Sequence, residues 1–71
     1  MRFQYSILIQ WSEPDRTYLV TLPEFGSYAH THGDTYGEAL KNAEEVLELL
    51  VNDYQARGKE LPKPLTVKVT S

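Results

Sequence analysis

Seventy-one residues make one domain rather than two cores, and at that size apolar burial and chain entropy nearly cancel, leaving roughly 3–5 kcal/mol without staples. Seven Lys and Arg against ten Asp and Glu give a net charge of −3 with no basic cluster to neutralise phosphates, which disfavours direct nucleic-acid binding. Cysteine is absent, so disulfides and cysteine-ligated metal are excluded, oligomerisation is the expected extra source of stability, and a soluble, cytoplasmic protein is expected because no apolar run nears the ~18 residues of a membrane span.

From Phe3 to Trp11 the odd positions read Phe3, Tyr5, Ile7, Ile9 and Trp11, against Gln4, Ser6, Leu8 and Gln10. This period of two predicts a strand with its odd face toward the core. Ser12 to Arg16 breaks the pattern, since Pro14 fixes φ and lacks an N–H. Thr17 to Leu22 alternates again, so the two strands are expected to form an antiparallel hairpin that Pro23 ends. After Glu24-Phe25-Gly26-Ser27, the short polar run Tyr28 to His32 predicts a third strand at a sheet edge.

The stretch Gly33-Asp34-Thr35-Tyr36-Gly37-Glu38 opens a helix. Thr35 and Glu38 have the spacing of a capping box, in which the threonine hydroxyl takes the Glu38 N–H and the glutamate reaches back to the N–H of Thr35. Asp34 places negative charge at the positive end of the helix dipole. Apolar residues then recur at helical spacing through Ala39, Leu40, Ala43, Val46, Leu47, Leu50, Val51 and Tyr54, and Gly58 can turn left-handed at the end. The predicted helix is Tyr36 to Arg57, with an apolar stripe of roughly 140°. The opposite side carries Lys41, Asn42, Glu44, Glu45, Glu48, Asn52 and Gln55. Leu49 projects roughly 130° from the stripe, among the glutamates, either as a contact with another chain or as a lone exposed leucine.

Gly58-Lys59-Glu60-Leu61-Pro62-Lys63-Pro64 is a stiff extended link, because each proline biases its predecessor away from helix. Leu65, Val67 and Val69 alternate with Thr66, Lys68 and Thr70, which predicts a last strand. The expected fold is therefore α+β, two layers in the order β-β-β-α-β: an antiparallel three-strand meander, one helix on one face, and a fourth strand returning through a crossover. The other sheet face is mostly polar, interrupted by Leu8 and Leu19. These two form either a cross-strand contact or the centre of a dimer patch.

Trp11-Ser12-Glu13 with Asp15 and Tyr18, Leu22-Pro23-Glu24, Thr31-His32-Gly33-Asp34-Thr35 leading into Glu38-Ala39-Leu40, then Asn42-Ala43, Gly58 and Leu61-Pro62-Lys63-Pro64 appear in that order. Together they resemble the HicB antitoxin family over nearly the full length, residues 1–71 corresponding to a single HicB-like domain. The resemblance implies a partial ribonuclease-H-like fold, assembly as dimers or tetramers, and binding of a small HicA-type toxin that cleaves messenger RNA. Full antitoxins of that family often add a DNA-binding domain after this one.

A ribonuclease-H-like fold invites a nuclease reading, but two-metal phosphoryl chemistry needs converging carboxylates. The centre of the first strand is Ile7-Leu8-Ile9, so no catalytic residues are assigned and no enzyme activity is expected. His30 and His32 share a strand face, and Asp34 can join them as Zn²⁺ ligands if the strand continues; Gly33-Asp34 reads more simply as the turn into the helix. No metal or other cofactor is therefore expected. Glu44, Glu45 and Glu48 around Leu49 form either a solvated face or an acidic surface that meets a basic ribonuclease. The expectation is an antitoxin-like module binding through Glu44, Glu45, Glu48 and Leu49. The runner-up is a structural or regulatory homo-oligomer without a toxin, and a metal-dependent enzyme comes third.

Overall fold

The computed structural model describes residues 4–26 and 29–67. Strand β1 is Leu8–Ser12, β2 is Thr17–Thr21, a 3-10 turn covers Pro23–Phe25, β3 is His30–Gly33 and helix α1 is Tyr36–Ala56. The strands form an antiparallel sheet in the order β1-β2-β3. Ile9 lies opposite Val20 and Trp11 opposite Tyr18, while Leu19 faces His32 and Tyr18 faces Gly33. Of the described odd residues of the predicted first strand, Tyr5, Ile7 and Ile9 pack against the core, while Trp11 stays exposed.

That core contains Val20 and Leu22, both fully buried, with Ala29 and the helix residues Ala39, Ala43 and Leu47. Val51 continues the buried line along α1, every fourth residue from Ala39. Ala39 and Ala43 have no side chain beyond Cβ, so the first two turns of α1 can lie close to β3. Gly33 completes that approach: a Cβ there would stand 2.4 Å from the backbone nitrogen of Ala39. Leu40, within the predicted stripe, is instead exposed, since at this end of α1 the core is met by Ala39 and Ala43.

The helix ends follow the sequence closely. The Thr35 hydroxyl oxygen accepts the Glu38 N–H at 3.0 Å. The reciprocal half differs from the expected box, since Glu38 Oε1 accepts from the Asp34 N–H at 3.2 Å rather than from Thr35. Helix α1 stops at Ala56, with Arg57 as its cap. Gly58 has φ of 66°. Its N–H reaches the Gln55 carbonyl, and the Lys59 N–H reaches that of Tyr54, so the ending is a Schellman motif. Thr35→Ala is expected to lower stability by about 1 kcal/mol in chemical denaturation, because an N–H in the first turn loses its acceptor.

The β-β-β-α order is present, and the fourth strand is not among the described residues. Pro62 and Pro64 supply no N–H to a ladder. The Leu65 N–H donates instead to the Glu24 carboxylate at 2.9 Å. Lys68, Val69 and Thr70 lie outside the described residues, as do Phe3 and Tyr28, with which the first and third strands were expected to begin. Pairing starts at Leu8 in the one and at His30 in the other. Asn42, read as a solvent-face residue, donates from its side-chain nitrogen to the His32 carbonyl at 2.8 Å, tying α1 to β3.

Candidate partner-binding surfaces

Three surfaces and one partly buried junction emerge once the helix is laid across the sheet. The outer face of α1 carries Glu44, Glu45 and Glu48, all exposed, beside Leu49, which keeps 68% of its surface. Glu45, Glu48, Leu49 and Asn52 line a shallow hollow there. Among the described residues none of the three glutamates forms an ion pair. An unneutralised acidic face with an apolar centre can steer a basic protein and then bury a leucine.

The second surface is the open face of the sheet. Leu8 pairs with Thr21, and Leu19 sits two residues from Thr21 on the same strand, so the two leucines are diagonal neighbours. Both are exposed. His30 and His32 continue this face, opposite Thr21 and Leu19. Asp34 does not extend it, because β3 ends at Gly33 and the chain turns into the helix. Among the described residues no three His, Asp or Glu side chains converge as metal ligands.

The third surface is aromatic. On the helix side of the sheet, the aliphatic core is flanked by a ring trio at each end. Near the end of α1, Tyr5 meets Phe25 edge-on at 4.8 Å, and Phe25 meets Tyr54 at 5.6 Å. The chain after α1 folds over this trio: Lys59 Nζ lies 4.9 Å from the Tyr54 ring centre, and the Tyr5 hydroxyl donates to the Pro62 carbonyl at 2.7 Å. Near the start of α1, Trp11 meets Tyr18 edge-on at 5.0 Å, and Tyr18 meets Tyr36 at 4.4 Å. Partial burial raises the Tyr18 phenol pKa above its ordinary value, and the Tyr36 phenol beside it adds to the effect. Trp11 nonetheless keeps 46% of its surface and Tyr36 65%.

The junction is built on Glu24, in the 3-10 turn after β2. Its carboxylate accepts from the Ser6 N–H at 3.0 Å, from the Ser6 hydroxyl at 3.1 Å and from the Leu65 N–H at 2.9 Å. Burial pushes the Glu24 pKa up. The N–H groups of Leu65, Ser6 and Glu24 itself, with the Ser6 hydroxyl, outweigh that and hold it below the ordinary carboxylate value. One side chain therefore joins the start, middle and end of the described chain.

Local sequence pattern singles out neither Glu24 nor the trio at Trp11 as a working group. The Trp11–Tyr18 contact follows from the hairpin register once Ser12 and Thr17 are paired. Tyr36 over Tyr18 is a tertiary contact with no signal in local spacing.

No helix among the described residues is long and apolar enough to cross a membrane. The fold defines a small α+β domain, a three-strand antiparallel sheet with one helix. No family model, no curated protein and no solved structure matches the chain.

Proposed function

We propose that this chain is an antitoxin-like binding module that covers a small basic ribonuclease of the HicA type. The observation that carries the reading is the outer face of α1, where Glu44, Glu45 and Glu48 lie beside the exposed Leu49 and form no ion pair among the described residues. The motif resemblance to HicB antitoxins supports the choice of partner. Complementary charge would act mainly on association rate and specificity, and Leu49 would add apolar contact at the centre.

Co-expression tests the module. Growth arrested by a HicA-type toxin should resume when this chain is produced with it, and the two proteins should co-elute. Continued arrest with both proteins soluble and eluting apart overturns the reading. The combined variant Glu44→Lys, Glu45→Lys, Glu48→Lys should keep its fold and associate about tenfold more slowly at low salt. The difference should shrink near 0.15 M salt, where the Debye length is ~8 Å.

A second reading, a homo-oligomer of this chain, is favoured by the diagonal Leu8–Leu19 pair at the centre of the open sheet face. Light scattering should then give a mass above one chain, which Leu19→Lys reduces to one chain. A wild-type monomer at every concentration rules the oligomer out.

A further inference from the structure

We propose that the Trp11–Tyr18–Tyr36 shelf, with the Glu13 carboxylate at its rim, is a docking site for an arginine side chain of a basic partner protein. This extends the reading of a basic partner to a second surface and is measured without the toxin. The shelf differs from its counterpart at the other end of α1 in one respect that points to a cation. There the chain places its own Lys59 over Tyr54 and closes the end with the segment around Pro62. At the start of α1 the rings are open, and among the described residues no cation lies over them.

The carboxylate is already oriented. The Trp11 indole N–H donates to Glu13 Oε2 at 2.7 Å, which holds the acid at the edge of the exposed indole. Glu13 Oε1 meets Arg16 only at 3.9 Å, with both side chains about three-quarters exposed, so an incoming cation displaces little. Asp15 lies in the same hairpin turn, and Asp34 and Glu38 stand two residues before and after Tyr36 in the chain. An acidic rim repels phosphates, which disfavours stacked nucleic-acid bases on these rings.

A ring face beside a fixed carboxylate suits guanidinium better than ammonium. Guanidinium is planar and weakly hydrated, stacks on aromatic faces, and donates two parallel N–H bonds to one carboxylate. Trp, Tyr and Arg are also the residues that dominate the energetics of protein interfaces.

Trp11 is the only tryptophan of the chain, so its fluorescence reports the shelf directly. The probes are blocked (Gly-Arg)₄ and (Gly-Lys)₄ peptides of equal charge, and a uridine oligonucleotide. The arginine peptide should shift Trp11 emission saturably and bind about fivefold more tightly than the lysine peptide. Glu13→Gln keeps an acceptor for the indole N–H while removing the charge, and should weaken arginine binding about tenfold. Tyr36→Ala should weaken it about threefold. At 0.15 M salt, where the Debye length is ~8 Å, the Glu44→Lys, Glu45→Lys, Glu48→Lys variant should bind with nearly wild-type affinity, since those residues lie on the outer face of α1. Equal affinity for both peptides, no saturable change, loss of binding in that helix-face variant, or tighter binding of the oligonucleotide overturns the assignment. Toxin rescue by the wild-type chain is read separately, so either result can fail alone.

Discussion

Gly33→Ala should unfold a large fraction of the protein at ambient temperature. A Cβ at position 33 would stand 2.4 Å from the Ala39 nitrogen, 2.6 Å from its Cα and 2.9 Å from the Glu38 carbonyl carbon. All three are backbone atoms in the first turn of α1, so no side chain can rotate away. Either α1 lifts from β3, uncovering the fully buried Ala39 and Ala43, or β3 leaves its register with β2. Overpacking of a tight contact costs about 1–3 kcal/mol, and a backbone contact belongs at or above the top of that range. Against a total of roughly 3–5 kcal/mol, the loss is most of the stability. The melting temperature should fall by about 12–24 °C for a 3 kcal/mol loss at this chain length. Gly37→Ala is the matched control, because its added Cβ meets only the Thr35 hydroxyl oxygen at 4.0 Å. It should stabilise by about 0.5–1 kcal/mol through helix propensity. If both variants melt with the wild type, the close approach of α1 to β3 is not there.

Glu24→Ala should free both ends of the described chain from the 3-10 turn. The Ser6 and Leu65 N–H groups would lose their shared acceptor, and the segment around Pro62 would keep its bond to the Tyr5 hydroxyl. Hydrogen bonds to a charged group contribute about 1.5–3 kcal/mol each when buried, but water reaches this partly exposed site, so about 1–2 kcal/mol in total is expected. Amide exchange should accelerate at Ser6 and Leu65, while the buried residues of α1 should slow or hasten only with global stability. The pH dependence has a definite sign. The folded pKa of Glu24 lies below its unfolded value of 4.5, so its contribution is fully present above that pH. It is lost as pH falls through the folded value. Wild type should therefore lose stability in that acid window more steeply than Glu24→Ala. Parallel acid profiles would show that the carboxylate does not hold the two segments.

The same two residues separate what local pattern conveys from what packing decides. The alternation of Ile7, Ile9 and Trp11 and of Tyr18 and Val20 placed the hairpin and its helix-facing side, because a period of two forces alternate residues onto opposite faces. Thr35, the apolar spacing from Ala39 to Val51 and the left-handed Gly58 marked the helix within one residue at its end, since caps and helical periodicity act over a few residues of chain. Leu49 off the stripe is exposed for the same reason. Net charge and the acidic face of α1 were also legible, being properties of side chains whose direction the helix sets.

Contacts between distant segments decided the rest. The alternation of Leu65 and Val67 reads as a strand, yet alternation carries no information about a partner edge, and Pro62, Pro64 and the Glu24 carboxylate together direct that segment away from a ladder. Gly33 looked like a turn residue and is a contact point for helix backbone, because the distance between α1 and β3 is set by every side chain between them. Gly33 also stands opposite Tyr18 in the sheet, and Tyr36, three residues on, packs its ring 4.4 Å from that of Tyr18. Composition alone determined a small, acidic, cysteine-free domain with little stability to spare. Which aromatic end is closed by Lys59 and which stays open at Trp11 was decided only by tertiary structure, since each trio is completed by a helix tyrosine, Tyr54 or Tyr36, that no local spacing relates to its partners.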